Sequence, residues 1–169
     1  MHPSLARLEY VLSNAIEGMS GDDFARHIRG KWSSSEILEH LNLTLTGTIR
    51  NLERSLVSGE AHSSQDRRAK RWPRRVVIWL GYFPKRHKAP ERVLPRGAPI
   101  EGLRREIFDN IARMDELLAR CEARFGPGKT VARHPILGPL TAREWRRFHL
   151  VHGRHHACQI VRLKNLSPE

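Results

Sequence analysis

The residues best suited to chemistry in this chain are four histidines and a glutamine near its C-terminal end. They are His149, His152, His155, His156 and Gln159. Apolar spacing predicts a single helix here, and on a helix residues three or four apart lie on one face, about 5–6 Å from each other. Two imidazoles at that spacing can bind one metal ion, with metal–nitrogen distances near ~2.1 Å. The spacing predicts a metal-binding pair, but His152 could form it with either His156 or His155.

A metal site needs at least one further ligand, and His40 is the best candidate elsewhere in the chain. It lies beside the apolar stripe of a second long predicted helix, one residue before Leu41. Metal sites in helix bundles are built in this way, from side chains of facing helices that project inward. Three neutral histidines leave at least one coordination position open, which is typical of catalytic rather than structural zinc. The ordinary alternative is that each helical histidine is simply packed or solvated.

Two neighbours of the histidine pair have candidate roles of their own. Gln159 lies on the inward face and is predicted to hydrogen-bond a ligand imidazole, although helix packing would explain it equally well. His149 shares that face and is a candidate general base, with a buried, hydrogen-bonded histidine as the alternative. Cys158 lies about 200° around the helix from His156, so we expect a packed cysteine and not a nucleophile.

Helical periodicity recurs along the chain and predicts an all-α protein built as a four-helix bundle. A serine cap after Trp32, with Glu36 in the first turn, predicts one helix start, and Thr141 with Glu144 predicts another. Residues 129–140 are expected to form a loop. The long helices are predicted over residues 4–18, from the cap after Trp32 to near 59, over 101–124 and over 141–166. Between them we expect a polar loop over 59–71, a short helix over 72–82 and an extended connector over 83–100.

Positive charge is concentrated in one segment. The net charge is +12, and residues 67–96 contain eleven of the thirty Lys and Arg residues but one of the eighteen acids. Basic side chains interleaved with aromatic ones are typical of single-stranded nucleic-acid binding. The segment therefore predicts an alternative function, which is the binding of nucleic acid, an acidic partner or an acidic substrate. The ordinary interpretation is that these basic side chains are simply solvated surface. The candidate anion-binding residues are Arg67, Arg68, Arg74 and Arg75.

Composition and length limit the class of protein. With 169 residues, 39% hydrophobic and 28% charged, the chain fits one soluble domain over 1–169, with a basic, proline-rich connector at about 60–100. No stretch approaches the ~20 apolar residues that cross a bilayer, and the N-terminus lacks the apolar core of a secretion signal. Cys121 and Cys158 do not make a disulfide framework. These features predict a cytoplasmic protein that does not associate with membranes.

Two separated motifs resemble the DinB-like superfamily, which includes YfiT-like proteins. The first is WSSSEILEHL at 32–41, with Trp32, Ser33, Ile37 and His40 at the motif positions. The second is VHGRHHACQI at 151–160, in which His-x-x-x-His is followed after two residues by Gln-Ile. The segment HPILGPLTAREW at 134–145 also resembles the lead-in to this last helix in one DinB-like subgroup. Order and spacing match in both halves, so the resemblance covers most of the chain.

The resemblance implies a DinB/YfiT-type four-helix bundle with a site for one divalent metal ion, usually zinc or nickel. It selects His40, His152 and His156 as the ligands, since His156 is the histidine that precedes the Ala-Cys-Gln-Ile tail. Relatives include thiol-dependent S-transferases, a maleylpyruvate isomerase and proteins described as metal-dependent hydrolases. We therefore expect a metal-dependent enzyme, either a thiol-dependent S-transferase or a hydrolase, that acts on a small-molecule substrate such as a low-molecular-weight thiol. Relatives are often homodimers.

Overall fold

The computed structural model describes residues 1–59, 76–78 and 89–165, and this part of the chain is mostly helical. Apart from the short helical stretch at 76–78, this part contains five α-helices, a 3₁₀ turn at Glu91–Val93 and two short strands. The helices are α1 Pro3–Ile16, α2 Gly21–Ala25, α3 Ser34–Ser58, α4 Ile100–Phe125 and α5 Ala142–Lys164. The strands are β1 Thr130–His134 and β2 Gly138–Thr141. The mostly helical, all-α architecture predicted from the sequence is confirmed.

Helices α3 and α5 begin where the sequence predicts, because side chains satisfy their first N–H groups. The Ser33 hydroxyl accepts from the Glu36 N–H, and the Glu36 carboxylate accepts from the Ser33 N–H, which is a complete capping box. Thr141 and Glu144 form the same arrangement at the start of α5. At the other end of α3, Gly59 adopts a left-handed conformation that stops the helix. These signals fix which residues of α3 and α5 face inward.

The four long helices pack as two pairs that contact each other. α3 packs mainly along α4, α1 packs mainly along α5, and α3 also contacts α5. Apolar side chains of all four long helices form one buried core, which includes Leu8, Leu38, Met114 and Trp145. The indole N–H of Trp145 donates to the carbonyl of Ala132, which ties α5 to β1. Within the described residues, none of the helices is long and apolar enough to span a bilayer.

The expectation of a loop over 129–140 was wrong, since β1 and β2 form an antiparallel hairpin there. The strands have only five and four residues, and most of these residues are buried. Because buried and exposed positions do not alternate along them, the sequence lacks the polar–apolar alternation that identifies a strand. The His134 ring also shapes the turn, because its Nδ1 accepts from the N–H groups of Ile136 and Leu137. Gly138 supplies a φ of +77°, which favours glycine.

The predicted connector is only partly within the described residues. Residues 89–99 form no helix or strand apart from the 3₁₀ turn, and they lead to Pro99 at the start of α4. Of the predicted short helix at 72–82, residues 76–78 are helical, and the rest lies outside the described residues. The same is true of nearly all of the predicted polar loop at 59–71.

Candidate metal centre

His152 and His156 lie one turn apart on the inward face of α5 and are both buried. Their ring centroids are 4.6 Å apart, and their Nε2 atoms are separated by 3.1 Å. His155, the other possible partner from spacing alone, is exposed and is not among the histidines whose ligand atoms converge. The helix therefore brings His152 together with His156.

His40 reaches the same point from α3. Its Nε2 lies 3.3 Å from Nε2 of His152, and its ring centroid is 4.9 Å from that of His156. The ligand atoms of His40, His152 and His156 all lie within 4.8 Å of one another. We call these three residues the histidine cluster. The cluster joins two helices that are 112 residues apart in sequence at this contact.

Hydrogen bonds on the far side of two rings fix which nitrogen is available to a metal. Nδ1 of His40 lies 2.8 Å from the carbonyl oxygen of Val93, and Nδ1 of His156 lies 2.7 Å from Oε1 of Gln159. Both acceptors lack a hydrogen, so in each case the imidazole Nδ1–H must donate. The proton therefore sits on Nδ1, and the lone pair of Nε2 points into the histidine cluster.

The spacing of these nitrogens suits a tetrahedral divalent ion. Nitrogen ligands about 2.1 Å from a tetrahedral metal are about 3.4 Å from each other. The two Nε2 separations of 3.1 and 3.3 Å are close to this value. An ion held by these three imidazoles would keep a fourth position for water or substrate, as catalytic zinc sites do.

Burial keeps the histidine cluster in the form that binds metals. Desolvation lowers the pKa of His152 well below its usual value, and nearby imidazoles lower it further. Burial likewise lowers the pKa of His156 to about 3, and it lowers the pKa of His40. The rings are therefore neutral at neutral pH, so a metal ion does not have to displace the extra proton of an imidazolium ion.

Aromatic side chains pack against two of the cluster rings. Phe148 stacks on His152, with ring centroids 5.4 Å apart and an interplanar angle of 15°. Trp32, which is half-buried, lies against His40 with ring centroids 5.0 Å apart. These contacts restrict the rotation of the imidazoles and make part of the surroundings apolar, where electrostatic interactions with an ion are strong.

Gln159 makes the hydrogen bond predicted for it, because its Oε1 accepts from His156. Its amide nitrogen lies 3.3 Å from Nε2 of His155, an orientation in which the amide donates to that ring. The exposed His155 thus helps to orient the glutamine. Support of this kind from behind a ligand raises its basicity and fixes its direction.

His149 is fully buried one turn before His152, with its Nε2 3.0 Å from the hydroxyl oxygen of Thr48. Its ring stacks on Trp145 at 5.8 Å between centroids. Burial lowers its pKa to about 3, so the imidazole is neutral at neutral pH. These contacts join α5 to α3. A role as general base stays a prediction.

Other sequence predictions had different outcomes. Cys158 is exposed, so its prediction as a packed residue was wrong; the side chain points outward because it lies on the polar side of α5. Arg67, Arg68, Arg74 and Arg75 lie outside the described residues, so nucleic-acid or anion binding by that segment stays a prediction.

Two contributors to the site were not anticipated from the sequence. One is the carbonyl of Val93, which accepts from His40 across 53 positions in sequence. The other is Glu39, whose buried carboxylate accepts from three main-chain N–H groups of the connector. A main-chain carbonyl has no sequence signature, but an acid within an apolar helix face, next to a candidate ligand, could have drawn attention to Glu39.

One protein-family model matches most of the chain. The model of the DinB superfamily matches residues 4–160, which include all three members of the histidine cluster. The chain showed no significant match to any curated protein or to any solved structure.

Proposed function

Because the chain belongs to the DinB superfamily, we propose that it is a metal-dependent enzyme with one divalent ion bound by His40, His152 and His156. The observation that carries the proposal is the convergence of three buried imidazoles whose ligand atoms all lie within 4.8 Å of one another. We propose zinc or nickel as the ion, since imidazole nitrogen suits both. The resident metal would lower the pKa of a coordinated water or thiol and would polarise a substrate carbonyl.

The protein's own contribution is to hold the ligands and to leave the charge of the ion uncompensated. All three ligands are neutral, so a divalent ion would keep its full charge within the histidine cluster. Such a site favours an anionic fourth ligand, such as a deprotonated thiol or a carboxylate-bearing substrate. We therefore propose thiol-dependent group transfer or hydrolysis as the reaction class, with a small-molecule substrate.

Metal content tests the first part of the proposal. Untagged protein, purified with and without reconstitution in zinc or nickel, would be analysed by mass spectrometry. We expect close to one metal ion per chain in the wild type, loss of the metal in His156→Ala, and retention in His27→Ala. The last variant is the control, because His27 is an exposed histidine that lies near Glu36 and makes no contact with the cluster. A wild type that stays metal-free after reconstitution would contradict the proposal.

Activity tests the second part. Metal-loaded protein would be assayed with small thiols and chlorodinitrobenzene for transfer, and with nitrophenyl esters for hydrolysis. We expect turnover that disappears in the metal-free protein and in His40→Ala. Turnover that is equal with and without metal would show that the ion is not required.

A further inference from the structure

The side chain before the first ligand makes an unusual set of contacts. Glu39 is 6% exposed. Its Oε1 accepts from the N–H of Arg96 at 2.9 Å, and its Oε2 accepts from the N–H groups of Gly97 and Ala98 at 2.9 and 3.1 Å. A buried carboxylate is costly unless hydrogen bonds compensate for lost hydration, and here three charge-assisted bonds do so. We call this arrangement the Glu39 clamp.

The backbone of the connector is shaped to fit the carboxylate. Gly97 has a φ of +86°, a conformation that side-chain-bearing residues rarely adopt. This conformation lets consecutive N–H groups point to the same carboxylate. Pro95 precedes the clamped residues, and Pro99 follows them at the start of α4. The clamp therefore fixes the connector between α3 and α4 at a defined point.

The same connector supplies the acceptor for His40. Val93 closes the 3₁₀ turn, in which its N–H donates to the carbonyl of Pro90. Its own carbonyl accepts from Nδ1 of His40 at 2.8 Å. Only Leu94 and Pro95 separate Val93 from the first clamped residue, so there is little slack between the two contacts. Adjacent residues of α3 thus hold two nearby points of one connector.

We propose that Glu39 is a positioning residue for the metal centre, which acts by clamping residues 96–98 so that the Val93 carbonyl stays on Nδ1 of His40. With this acceptor in place, the proton stays on Nδ1, and the Nε2 lone pair faces His152 and His156. Without it, either nitrogen can carry the proton, and part of the population presents Nε2–H, which cannot bind a metal. The metal part of this inference rests on the proposed function, whereas the tautomer part does not.

The isosteric variant Glu39→Gln tests the clamp. Its amide keeps one acceptor oxygen but turns an NH₂ group toward main-chain N–H donors, so at least one bond is replaced by a repulsive contact. Glu53→Gln is the matched control, because it removes the same charge from α3 at a residue that pairs with Arg113 instead of the connector. Gly97→Ala is a second, independent variant that strains the clamp from the connector side; a Cβ at this position would meet no atom within 4 Å, so the backbone conformation alone is challenged.

The first readout needs no metal. Nitrogen NMR of the imidazoles in metal-free protein reports which nitrogen of His40 carries the proton. We expect the Nδ1–H tautomer in the wild type and in Glu53→Gln, and a mixture of tautomers in Glu39→Gln and Gly97→Ala. A single Nδ1–H tautomer in both clamp variants would overturn the proposal, whether or not the wild type binds a metal.

The second readout is affinity for zinc, measured by competition with a chromophoric chelator. Loss of a partner that orients a metal ligand typically weakens binding by about 10- to 100-fold. We expect a loss of this size in Glu39→Gln and no change in Glu53→Gln. If Glu39→Gln does not fold, as judged by helical circular dichroism, Gly97→Ala decides both readouts. Wild-type affinity in the folded clamp variants would also overturn the proposal.

Discussion

At the scale of single residues, two ligand imidazoles of the histidine cluster depend on different acceptors. His40 donates to a main-chain carbonyl of the connector, and His156 donates to the side chain of Gln159 on its own helix. The second contact is local, since it joins residues three apart on α5, and it depends little on the rest of the fold. It can therefore be removed without disturbing the connector.

Replacing Gln159 with leucine should weaken metal binding without changing the fold. Leucine keeps most of the volume and the helix propensity but cannot accept from Nδ1 of His156, so that ring loses its fixed tautomer. We expect zinc affinity to fall by about 10- to 100-fold. Gln159→Glu is the control, since a carboxylate still accepts from Nδ1 and should preserve or increase affinity. Equal affinities for the leucine variant and the wild type would show that Gln159 only fills space.

The buried histidines should make the metal-free protein less stable in acid. Burial lowers the pKa of His149 to about 3, whereas a histidine in the unfolded chain has a pKa of about 6.5. Between these values the unfolded state binds the extra proton, so the free energy of unfolding decreases as the pH falls from about 6.5 toward 3. For one such histidine the loss between pH ~8 and pH ~5 is about 2 kcal/mol.

Urea denaturation of metal-free wild type and His149→Gln at these two pH values measures that contribution. The variant is expected to be less stable at both values, because a buried ring is lost. Between pH ~8 and pH ~5, however, the free energy of unfolding of the variant should decrease by about 2 kcal/mol less than that of the wild type. A drop of equal size in the two proteins would mean that His149 is protonated to the same extent in the folded and unfolded states.

At the scale of the elements, the sequence predicts what is local and misses what depends on contacts distant along the chain. The caps at Ser33 and Thr141 were predictable because each is completed by an acid three residues later. The inward face of α5, and with it the spacing of His152 and His156, followed from helical periodicity. Pairing of β1 with β2 is short and buried, so it leaves no pattern.

The same contrast applies to the metal centre. His40 could be proposed from its place beside the apolar stripe of α3, and the family resemblance selected His156 over His155. The acceptor at Val93 and the Glu39 clamp could not be predicted, because both depend on where an irregular connector passes over α3. An irregular segment has no periodicity from which its path could be derived.

The contact between α1 and α5 depends on a glycine. A Cβ at Gly153 would clash with Cδ1 of Leu8, so the two helices approach closely at this residue. Gly153→Ala should therefore destabilise the protein by about 1–3 kcal/mol through overpacking, despite the better helix propensity of alanine.

Gly47→Ala is the control. Gly47 is an exposed residue within α3, and a Cβ added there would meet no atom within 4 Å. That change should stabilise by roughly 0.5–1 kcal/mol. Chemical denaturation would distinguish the two, and equal effects would contradict the close approach.

At the scale of the whole molecule, the bundle consists of two helix pairs. One pair is α3 with α4, and the other is α1 with α5. Polar contacts join the pairs at several points: His149 of α5 bonds Thr48 of α3, and the buried Arg146 of α5 pairs with Asp115 and Glu122 of α4. The histidine cluster is one more point of this kind, because His40 belongs to one pair and the other two histidines to the other.

A metal ion in the histidine cluster should therefore stabilise the whole bundle, since it would connect the two helix pairs and would bind the folded state in preference to the unfolded chain. The stabilisation grows with the ratio of free metal to Kd, and at a hundredfold excess over Kd it amounts to about 2.7 kcal/mol. Urea denaturation with and without zinc measures this effect. We expect the gain in the wild type and in His27→Ala, and no gain in His40→Ala. His40→Ala is the critical variant, because it leaves both histidines on α5 in place and removes the ligand from α3. A gain that survives in His40→Ala would mean that zinc binds α5 alone and does not join the two halves of the bundle.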